Sequence, residues 1–228
     1  MPVTYDCVVP WGRSFDEYVR MFGLTEHDLT RKILGCGDGP ASFNKTMRER
    51  GNSVVSIDPI YQFSAAQIRE RIDATYQQVM EQTRQNADKF LWTTIPSLEA
   101  LGRIRMSAML EFLDDYETGT AEGRYRFEEL PSLSFADSAF DLALCSHFLF
   151  LYSDNLSEEF HREAIAEMLR VAREVRIFPI LDLNANLSRY VEPMIAYFSA
   201  CGFQVKILDV DYEFQRGGNK MMKLQGYV

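Results

Sequence analysis

The stretch Lys32-Ile-Leu-Gly-Cys-Gly-Asp-Gly-Pro40 decides the fold, because a short apolar run enters a turn with three glycines and a helical pattern follows. The apolar run predicts a buried strand at Lys32–Leu34, and Ala41–Arg50 is typical of a helix that ends at Gly51. A glycine-rich turn between a strand and a helix lets the main chain approach a ligand closely and points free N–H groups at its anionic end. We therefore expect this turn to bind a cofactor.

The next strand is followed by an acidic residue at an informative spacing. Val54–Ile57 predicts a strand, and Asp58 follows it, 23 residues after Gly35. A spacing of about 20 residues is expected of an acid that accepts hydrogen bonds from ribose hydroxyls. Asp58 also precedes Pro59, and Asp-Pro commonly opens a turn. The strand, loop and helix around it favour the ligand role over the turn role.

Apolar runs alternate with helical patterns along most of the chain, which predicts an α/β protein with a doubly wound, mainly parallel sheet. The chain has no internal repeat and no linker rich in Pro, Gly or Ser, so residues 1–228 are expected to form one domain. The further strands are predicted near Tyr125–Phe127, Leu142–Cys145, Val175–Ile180, Phe203–Leu208 and Met221–Leu224, and the further helices near Asp16–Phe22, Glu158–Ala172 and Arg189–Cys201.

One segment departs from this alternation. Sixty-seven positions separate Asp58 from Tyr125, whereas a parallel crossover with its helix needs only about a dozen. Apolar residues at helical spacing from Ile68 to Phe90, and again from Leu98 to Phe112, predict two helices there. We therefore predict a helical hairpin inserted at residues 62–118.

The predicted hairpin has two alternative roles. Its apolar stripes are typical of packing, either against the rest of the chain or against a second copy in a homodimer. Alternatively the hairpin forms a lid that carries Phe90 and Trp92 towards a ligand. The sequence leaves both roles open.

Composition excludes several classes of function. The chain has 24 basic and 33 acidic residues and a formal charge of −9, so it repels phosphate backbones and anionic lipid, and neither nucleic acid nor a membrane is an expected partner. It lacks a secretion signal and a stretch of about 18 apolar residues, which favours a cytoplasmic protein. Cys7, Cys36, Cys145 and Cys201 form no CxxC pair, so no metal site or disulfide framework is expected.

These features resemble the class I S-adenosylmethionine-dependent methyltransferases. The resemblance rests on the GxGxG of Gly35, Gly37 and Gly39, on Asp58, and on Leu133–His147, which leads into and through the fourth strand. It spans roughly Ile33 to Phe178, although the usual Pro-Gly-Gly before the fifth strand is missing. It implies a Rossmann-like, seven-stranded sheet with the last strand antiparallel, and S-adenosylmethionine lying across the carboxyl ends of the strands.

The resemblance also implies a role for particular positions. The glycine turn is expected at the methionine and ribose end of the cofactor, Asp58 at the ribose hydroxyls, and the residues after the third strand at the adenine. Ser146 and His147, just after the fourth strand, would face the methyl group and the acceptor. The full predicted cofactor site comprises Gly35, Cys36, Gly37, Asp38, Gly39, Asp58, Ile60, Tyr61, Glu129, Leu130 and Ser146.

Methyl transfer from a sulfonium is an in-line displacement that requires alignment rather than a covalent enzyme intermediate. A hydroxyl or ammonium acceptor must also lose a proton, and a neutral imidazole suits that task. His147 is the candidate base, and the alternative for it is a buried, hydrogen-bonded histidine. His27 and His161 are expected at the surface. Aromatic residues in the insertion and the N-terminal segment favour a small, partly apolar acceptor.

Two other functions remain compatible with the glycine turn. A nicotinamide-dependent oxidoreductase uses the same strand, turn and acid, but Pro40 stands at the third glycine of GxGxxG. A non-catalytic module that binds S-adenosylmethionine or a nucleotide would keep the same pocket. Turnover with a methyl acceptor would distinguish an enzyme from such a module.

Overall fold

The computed structural model describes residues 9–226, which contain one seven-stranded sheet. Each of the seven strands predicted from the sequence overlaps an observed strand, so the predicted α/β fold with seven strands is confirmed. In chain order the strands are β1 Ile33–Cys36, β2 Val54–Ile57, β3 Tyr125–Arg126, β4 Phe140–Ser146, β5 Ala172–Phe178, β6 Phe203–Asp209 and β7 Lys220–Gly226.

The strand order is β3-β2-β1-β4-β5-β7-β6. Strands β3, β2, β1, β4 and β5 are parallel, whereas β7 runs antiparallel to both β5 and β6. The sheet is therefore mixed, because the short β6–β7 connection has no crossover helix and can only reverse the chain. Strands β2 and β3 lie on one side of β1, and β4 and β5 lie on the other. The direction in which strands are added therefore reverses at β1, and its carboxyl end is a topological switch point.

The described residues contain seven α-helices, of which two precede β1 and five lie in the connections between strands. The four-residue helix α2, Glu26–Leu29, was not predicted from the sequence, because a single turn has no apolar periodicity; Thr25 and Asp28 form a capping box at its N-terminus. No helix in residues 9–226 is both long and apolar enough to cross a membrane. The helices are α1 Phe15–Phe22, α2 Glu26–Leu29, α3 Phe43–Glu49, α4 Ala65–Gln85, α5 Leu98–Ala121, α6 Glu158–Val171 and α7 Val191–Ala200.

Helices α4 and α5 fill most of the segment between β2 and β3. Ile68 and Ile72, near the start of α4, share a buried cluster with Met109 and Phe112 of the middle of α5. Farther along α4, Tyr76 lies against a residue near the start of α5. The two helices therefore run antiparallel, with the connection between them at one end of the pair.

The core has one layer on each face of the sheet. On β1, Ile33 points into the layer with α1 and α3, and Leu34 points into the layer with α6 and α7. On β4, Leu144 and Cys145 alternate in the same way. This alternation places helices on both faces, which is the doubly wound arrangement that the sequence predicted.

Candidate functional site

A cavity of about 610 Å³ opens at the carboxyl ends of β1, β2, β4 and β5. Its wall includes the glycine turn, the ends of β2 and β4, parts of α4 and α5, and the β6–β7 connection. Open α/β sheets bind their ligands at this edge, at the switch point. The volume lies in the usual range for small-molecule sites.

The glycine turn contributes its second half to the cavity wall. Gly37, Asp38 and Gly39 line the cavity. Gly37 adopts φ +67°, in the left-handed region, and a Cβ atom there would lie 3.1 Å from Phe148. The Gly37 amide donates a hydrogen bond of 2.9 Å to the carbonyl of Ile57 and ties the turn to β2.

Two predicted residues of the turn, Gly35 and Cys36, lie outside this wall. The Asp38 carboxylate folds back over Gly35, where a Cβ atom would come within 1.8 Å of Asp38 Oδ2. Cys36 is fully buried in the core. Gly35 thus makes room for an acidic side chain of its own turn.

Asp38 is bound to its surroundings by both carboxylate oxygens. Tyr18 donates a hydrogen bond of 2.8 Å to Oδ1, and the Ser56 hydroxyl donates one of 2.6 Å to Oδ2. Burial raises the pKa of Asp38 to about 6, although these hydrogen bonds oppose the shift. The side chain predicted to bind a cofactor therefore holds the turn against α1 and β2.

Asp58 lines the cavity from the end of β2. Its Oδ2 accepts a hydrogen bond of 2.9 Å from the Gly39 amide, and its Oδ1 accepts one of 2.8 Å from the Ile60 amide. Burial raises the pKa of Asp58 to about 6, and the two amides limit the shift. Each carboxylate oxygen retains a second lone pair, so the group can accept two further hydrogen bonds from a ligand.

Of the two adjacent residues Ile60 and Tyr61, both predicted to contact the cofactor, only one lies in the cavity wall. Ile60 lines the cavity, and Tyr61 does not. The Tyr61 ring packs against Phe112 and Tyr125, and its hydroxyl donates a hydrogen bond of 2.7 Å to the Gly39 carbonyl. Tyr61 therefore supports the glycine turn from behind the wall.

Glu128, Glu129 and Leu130 all line the cavity after β3. The Glu128 carboxylate accepts hydrogen bonds of 2.8 and 2.7 Å from the amide and hydroxyl of Ser134. The Glu129 side chain is exposed and makes no hydrogen bond with the described residues. Of the two adjacent acids, Glu129 is thus the one available to a ligand.

Ser146 and His147 line the cavity where β4 ends. The Ser146 hydroxyl lies 3.0 Å from Nδ1 of His147, and the His147 ring packs edge-on against Phe178 at 5.4 Å. Burial, followed by the charges of Arg13 and Arg105, holds the pKa of His147 well below its usual range. The imidazole is therefore neutral near pH 7.

A buried polar cluster that the sequence did not predict lies at the same cavity. Arg13 and Arg105 line the wall. Arg105, which is fully buried, donates a hydrogen bond of 2.6 Å to Oε2 of Glu17, and Tyr212 donates one of 2.9 Å to Oε1. Although burial opposes ionisation of Glu17, the charges of Arg105 and Arg13 lower its pKa to about 2.

A signal for this cluster was present in the sequence. Arg105 stands four residues after Leu101 and four before Met109, on the apolar stripe of α5. An arginine on such a stripe has to find a buried acceptor. Its partner Glu17 could not be identified, because Glu17 also completes a capping box with Ser14 at the start of α1.

The connection between α4 and α5 covers part of the cavity. Phe90 lines the wall and stacks on Phe214 of the β6–β7 connection at 4.9 Å. The Leu91 amide donates a hydrogen bond of 2.8 Å to the carbonyl of Phe214. Trp92, expected beside Phe90, does not line the cavity, and its indole N–H donates to the Ala87 carbonyl.

Within residues 9–226, no three His, Cys, Asp or Glu side chains lie close enough together to hold a metal ion.

The predicted site residues that meet at the cavity are Gly37, Asp38, Gly39, Asp58, Ile60, Glu129, Leu130, Ser146 and His147.

Comparison with known proteins identifies proteins that are similar to this chain. No protein-family model matches it. It is 34% identical over 212 residues to the uncharacterized protein MJ0045 of Methanocaldococcus jannaschii, covering 92% of this chain and 93% of that protein. The solved structure of the PH0226 protein from Pyrococcus horikoshii OT3 matches with a TM-score of 0.50 and 9% identity, over 93% of this chain and 91% of that chain.

A second solved structure is the magnesium protoporphyrin IX methyltransferase of Synechocystis PCC 6803 with bound SAM. It matches with a TM-score of 0.47 and 11% identity, over 93% of this chain and 91% of that chain. The strand order, with β7 antiparallel, is that of the Rossmann-like fold of the class I methyltransferases. Because the chain is 34% identical to MJ0045 over 92% of its length, it belongs to the family of that protein.

Proposed function

We propose that this protein transfers a methyl group from S-adenosylmethionine to a small-molecule acceptor. The observation that carries the proposal is the contact between the glycine turn and Asp58. The Gly39 amide donates to Asp58 Oδ2 across the ends of two neighbouring strands, inside one cavity. This arrangement leaves main chain and an acidic side chain facing the same ligand.

The residues of the cavity fit an adenosyl group. Asp58 would accept hydrogen bonds from the ribose hydroxyls, and the backbone at Gly37 and Gly39 would approach the methionine end without obstruction from side chains. Ile60 and Leu130 would supply apolar contacts for the adenine. Glu129, whose carboxylate is free among the described residues, would accept a hydrogen bond from the adenine amino group.

The bound cofactor would supply an electrophilic methyl group on a sulfonium. The task of the protein is then to align the acceptor and to exclude water, which can contribute much of the rate acceleration. Phe178 and Tyr212 line the cavity, and Phe178 packs against both His147 and Tyr212. We assign the acceptor to the region beside these rings and the cofactor to the region beside the glycine turn and Asp58.

His147 is the candidate base for an acceptor that loses a proton. Its neutral state near pH 7 suits proton acceptance, but its lowered pKa makes it a weak base. The Nε2 atom is free to accept a proton only in the tautomer whose Nδ1–H donates to Ser146. We therefore assign His147 a modest catalytic contribution together with the orientation of the acceptor.

The connection between α4 and α5 serves as a lid in this proposal. The position of Phe90 supports this role, because Phe90 lines the cavity and stacks on Phe214. A formal charge of −9 and a partly covered cavity favour a small acceptor over nucleic acid or a membrane surface.

Calorimetric titration with S-adenosylmethionine, S-adenosylhomocysteine and NAD⁺ tests the proposal. We expect both sulfur compounds to bind and NAD⁺ to bind much more weakly. Asp58→Ala should weaken binding about 10- to 100-fold, because it removes hydrogen bonds to a charged carboxylate. The control Asp137→Ala removes an exposed carboxylate outside the cavity wall and should leave affinity unchanged. Preference for NAD⁺, or full affinity in Asp58→Ala, would contradict the proposal.

Turnover separates an enzyme from a binding module. S-adenosylmethionine labelled in its methyl group can be incubated with the protein and fractionated small-molecule extracts, and the extracts examined for labelled products. A labelled product that Asp58→Ala fails to form would support catalysis. Tight binding of the cofactor without transfer to any fraction would favour the non-catalytic module.

A further inference from the structure

A charged cluster of Arg13, Arg105 and Glu17 lies close enough to His147 for both arginines to act on its ring. Arg13 and Arg105 both line the cavity, and Glu17 is the carboxylate whose charge acts on both of them. Asp38 of the glycine turn makes its side-chain hydrogen bonds to Tyr18 and Ser56 and to neither arginine. The cluster of Arg13, Arg105 and Glu17 therefore has two positive charges and one negative charge.

The two arginines retain donors that the protein does not use. The buried Nε of Arg105 has no hydrogen-bond partner among residues 9–226, and neither has that of Arg13. Arg105 uses its terminal nitrogens for Glu17 and, at 3.4 Å, for Tyr212. A buried N–H without an acceptor is unfavourable, so these donors favour a ligand that brings acceptor atoms.

The electrostatic effects within the cavity agree with this excess of positive charge. Burial and the neighbouring charge of Arg105 lower the pKa of Arg13 to about 10. The charges that lower the pKa of His147 are again those of Arg13 and Arg105. An anion placed between the arginines would relieve the repulsion and gain charge-assisted hydrogen bonds.

We propose that Arg13 and Arg105 form a subsite for a carboxylate group of a ligand bound in the cavity. The planar guanidinium donates paired N–H groups that match the two oxygens of a carboxylate. The subsite borders His147, Phe178 and Tyr212, which are joined by ring contacts of 5.4 and 5.7 Å. Its position favours the acceptor as the source of the carboxylate, and the amino-acid end of S-adenosylmethionine is the other source. The inference rests on the proposed function for the identity of these ligands.

Two pairs of probes distinguish the sources, because the members of each pair differ at the carboxylate. Benzoate and benzamide, titrated with S-adenosylhomocysteine present, report on the acceptor region. S-adenosylmethionine and its decarboxylated analogue report on the cofactor. In each pair the affinity ratio measures recognition of the carboxylate alone.

Removal of either arginine should reduce one of these ratios. Arg105→Met and Arg13→Met keep a side chain of similar length without charge, and we expect a decrease of about 10- to 100-fold in the ratio for the true source. The matched control is Arg103→Met, which makes the same change on an exposed residue of the same helix and should leave both ratios unchanged.

Glu17→Gln should act in the opposite direction. It removes the competing negative charge but keeps a carbonyl oxygen for Arg105, so the carboxylate preference should rise several-fold. A purely structural role of the cluster would not produce this increase. Glu17→Gln and Arg13→Met also keep the proposal testable if Arg105→Met, which leaves a buried acid without its partner, fails to fold.

The affinity ratios can either support or overturn the proposed subsite. A decrease in either ratio in the arginine variants, with an increase in Glu17→Gln, supports the subsite and identifies its source. Equal binding or no binding of benzoate and benzamide, together with an unchanged cofactor ratio in Arg13→Met and Glu17→Gln, overturns it. If wild-type protein binds neither sulfonium compound, the proposed function fails, while benzoate and benzamide alone still test the arginines.

Discussion

The Tyr212 hydroxyl donates a hydrogen bond of 2.9 Å to Oε1 of Glu17, although 195 positions separate the two residues. Arg105 of α5 donates to the other oxygen of the same carboxylate. One buried side chain of α1 therefore joins α5 to the β6–β7 connection. These three parts of the chain share one carboxylate beside the cavity.

Tyr212→Phe is expected to destabilise the protein by about 1–2 kcal/mol, because Glu17 loses one of its buried donors. Urea unfolding of wild type and variant measures the loss. Tyr197→Phe removes a hydroxyl from an exposed tyrosine of α7 and should have no effect. Equal stability of Tyr212→Phe and wild type would mean that the hydrogen bond contributes nothing.

Gly37→Ala and Gly51→Ala form a matched pair, because both glycines have a positive φ, +67° and +77°. Alanine in the left-handed region costs about 1–2 kcal/mol, so both variants should lose at least this much stability. A Cβ atom at Gly51 has no neighbour within 4 Å, whereas one at Gly37 enters the cavity wall beside Phe148. We expect weaker binding of S-adenosylhomocysteine for Gly37→Ala alone, measured by calorimetry. Full affinity in Gly37→Ala would place the ligand away from the turn.

Affinity for S-adenosylhomocysteine should fall as the pH falls through about 6. Burial raises the pKa of Asp58 from its ordinary 3.8 to about 6, and the ribose hydroxyls donate to the ionised form. Protonation therefore leaves a neutral, weaker acceptor below pH 6, and affinity at about pH 5 should be lower than at about pH 7 by up to roughly tenfold. Asp58→Asn carries no charge at any pH, so its weaker binding should be nearly constant. A flat profile in wild type would contradict the assigned role.

The His147 ring should remain neutral between about pH 6 and pH 8. Its pKa lies well below 6.5 because of burial and the two arginines. Its ring-proton NMR signal, assigned by its absence in His147→Asn, should not shift over this range. Arg105→Met removes one of the two positive charges and should move the titration to higher pH. Titration of wild-type His147 near pH 6.5 would disprove the electrostatic account of the cavity.

The fold was largely predictable from the sequence, because its signals are local. The glycine turn follows one apolar run, and Asp58 directly follows the next apolar run. The pattern of the two predicted strands and their spacing therefore indicated the positions of the turn and of the acid. Parallel pairing of β1 with β2 then brings the turn and the acid together. No tertiary information was needed to predict their proximity.

Side-chain direction could not be predicted in the same way. Whether Asp38 faces a ligand or folds back over Gly35 depends on Tyr18 and Ser56, which are distant in sequence. Tyr61 turns away from the cavity because aromatic rings of α5 and β3 provide a buried site for it. His161, expected at the surface, is fully buried, because the carbonyl oxygens of Ser157 and Leu149 lie 2.8 and 2.9 Å from its ring nitrogens.

The connection between α4 and α5 is anchored to the β6–β7 connection largely through its main chain. The Leu91 amide donates to the Phe214 carbonyl, and the Arg216 amide donates to the Lys89 carbonyl, each at 2.8 Å. Such bonds persist when the attached side chains are exchanged. Replacement of Phe90 or Phe214 should therefore change the shape of the cavity wall without releasing this connection from the β6–β7 segment.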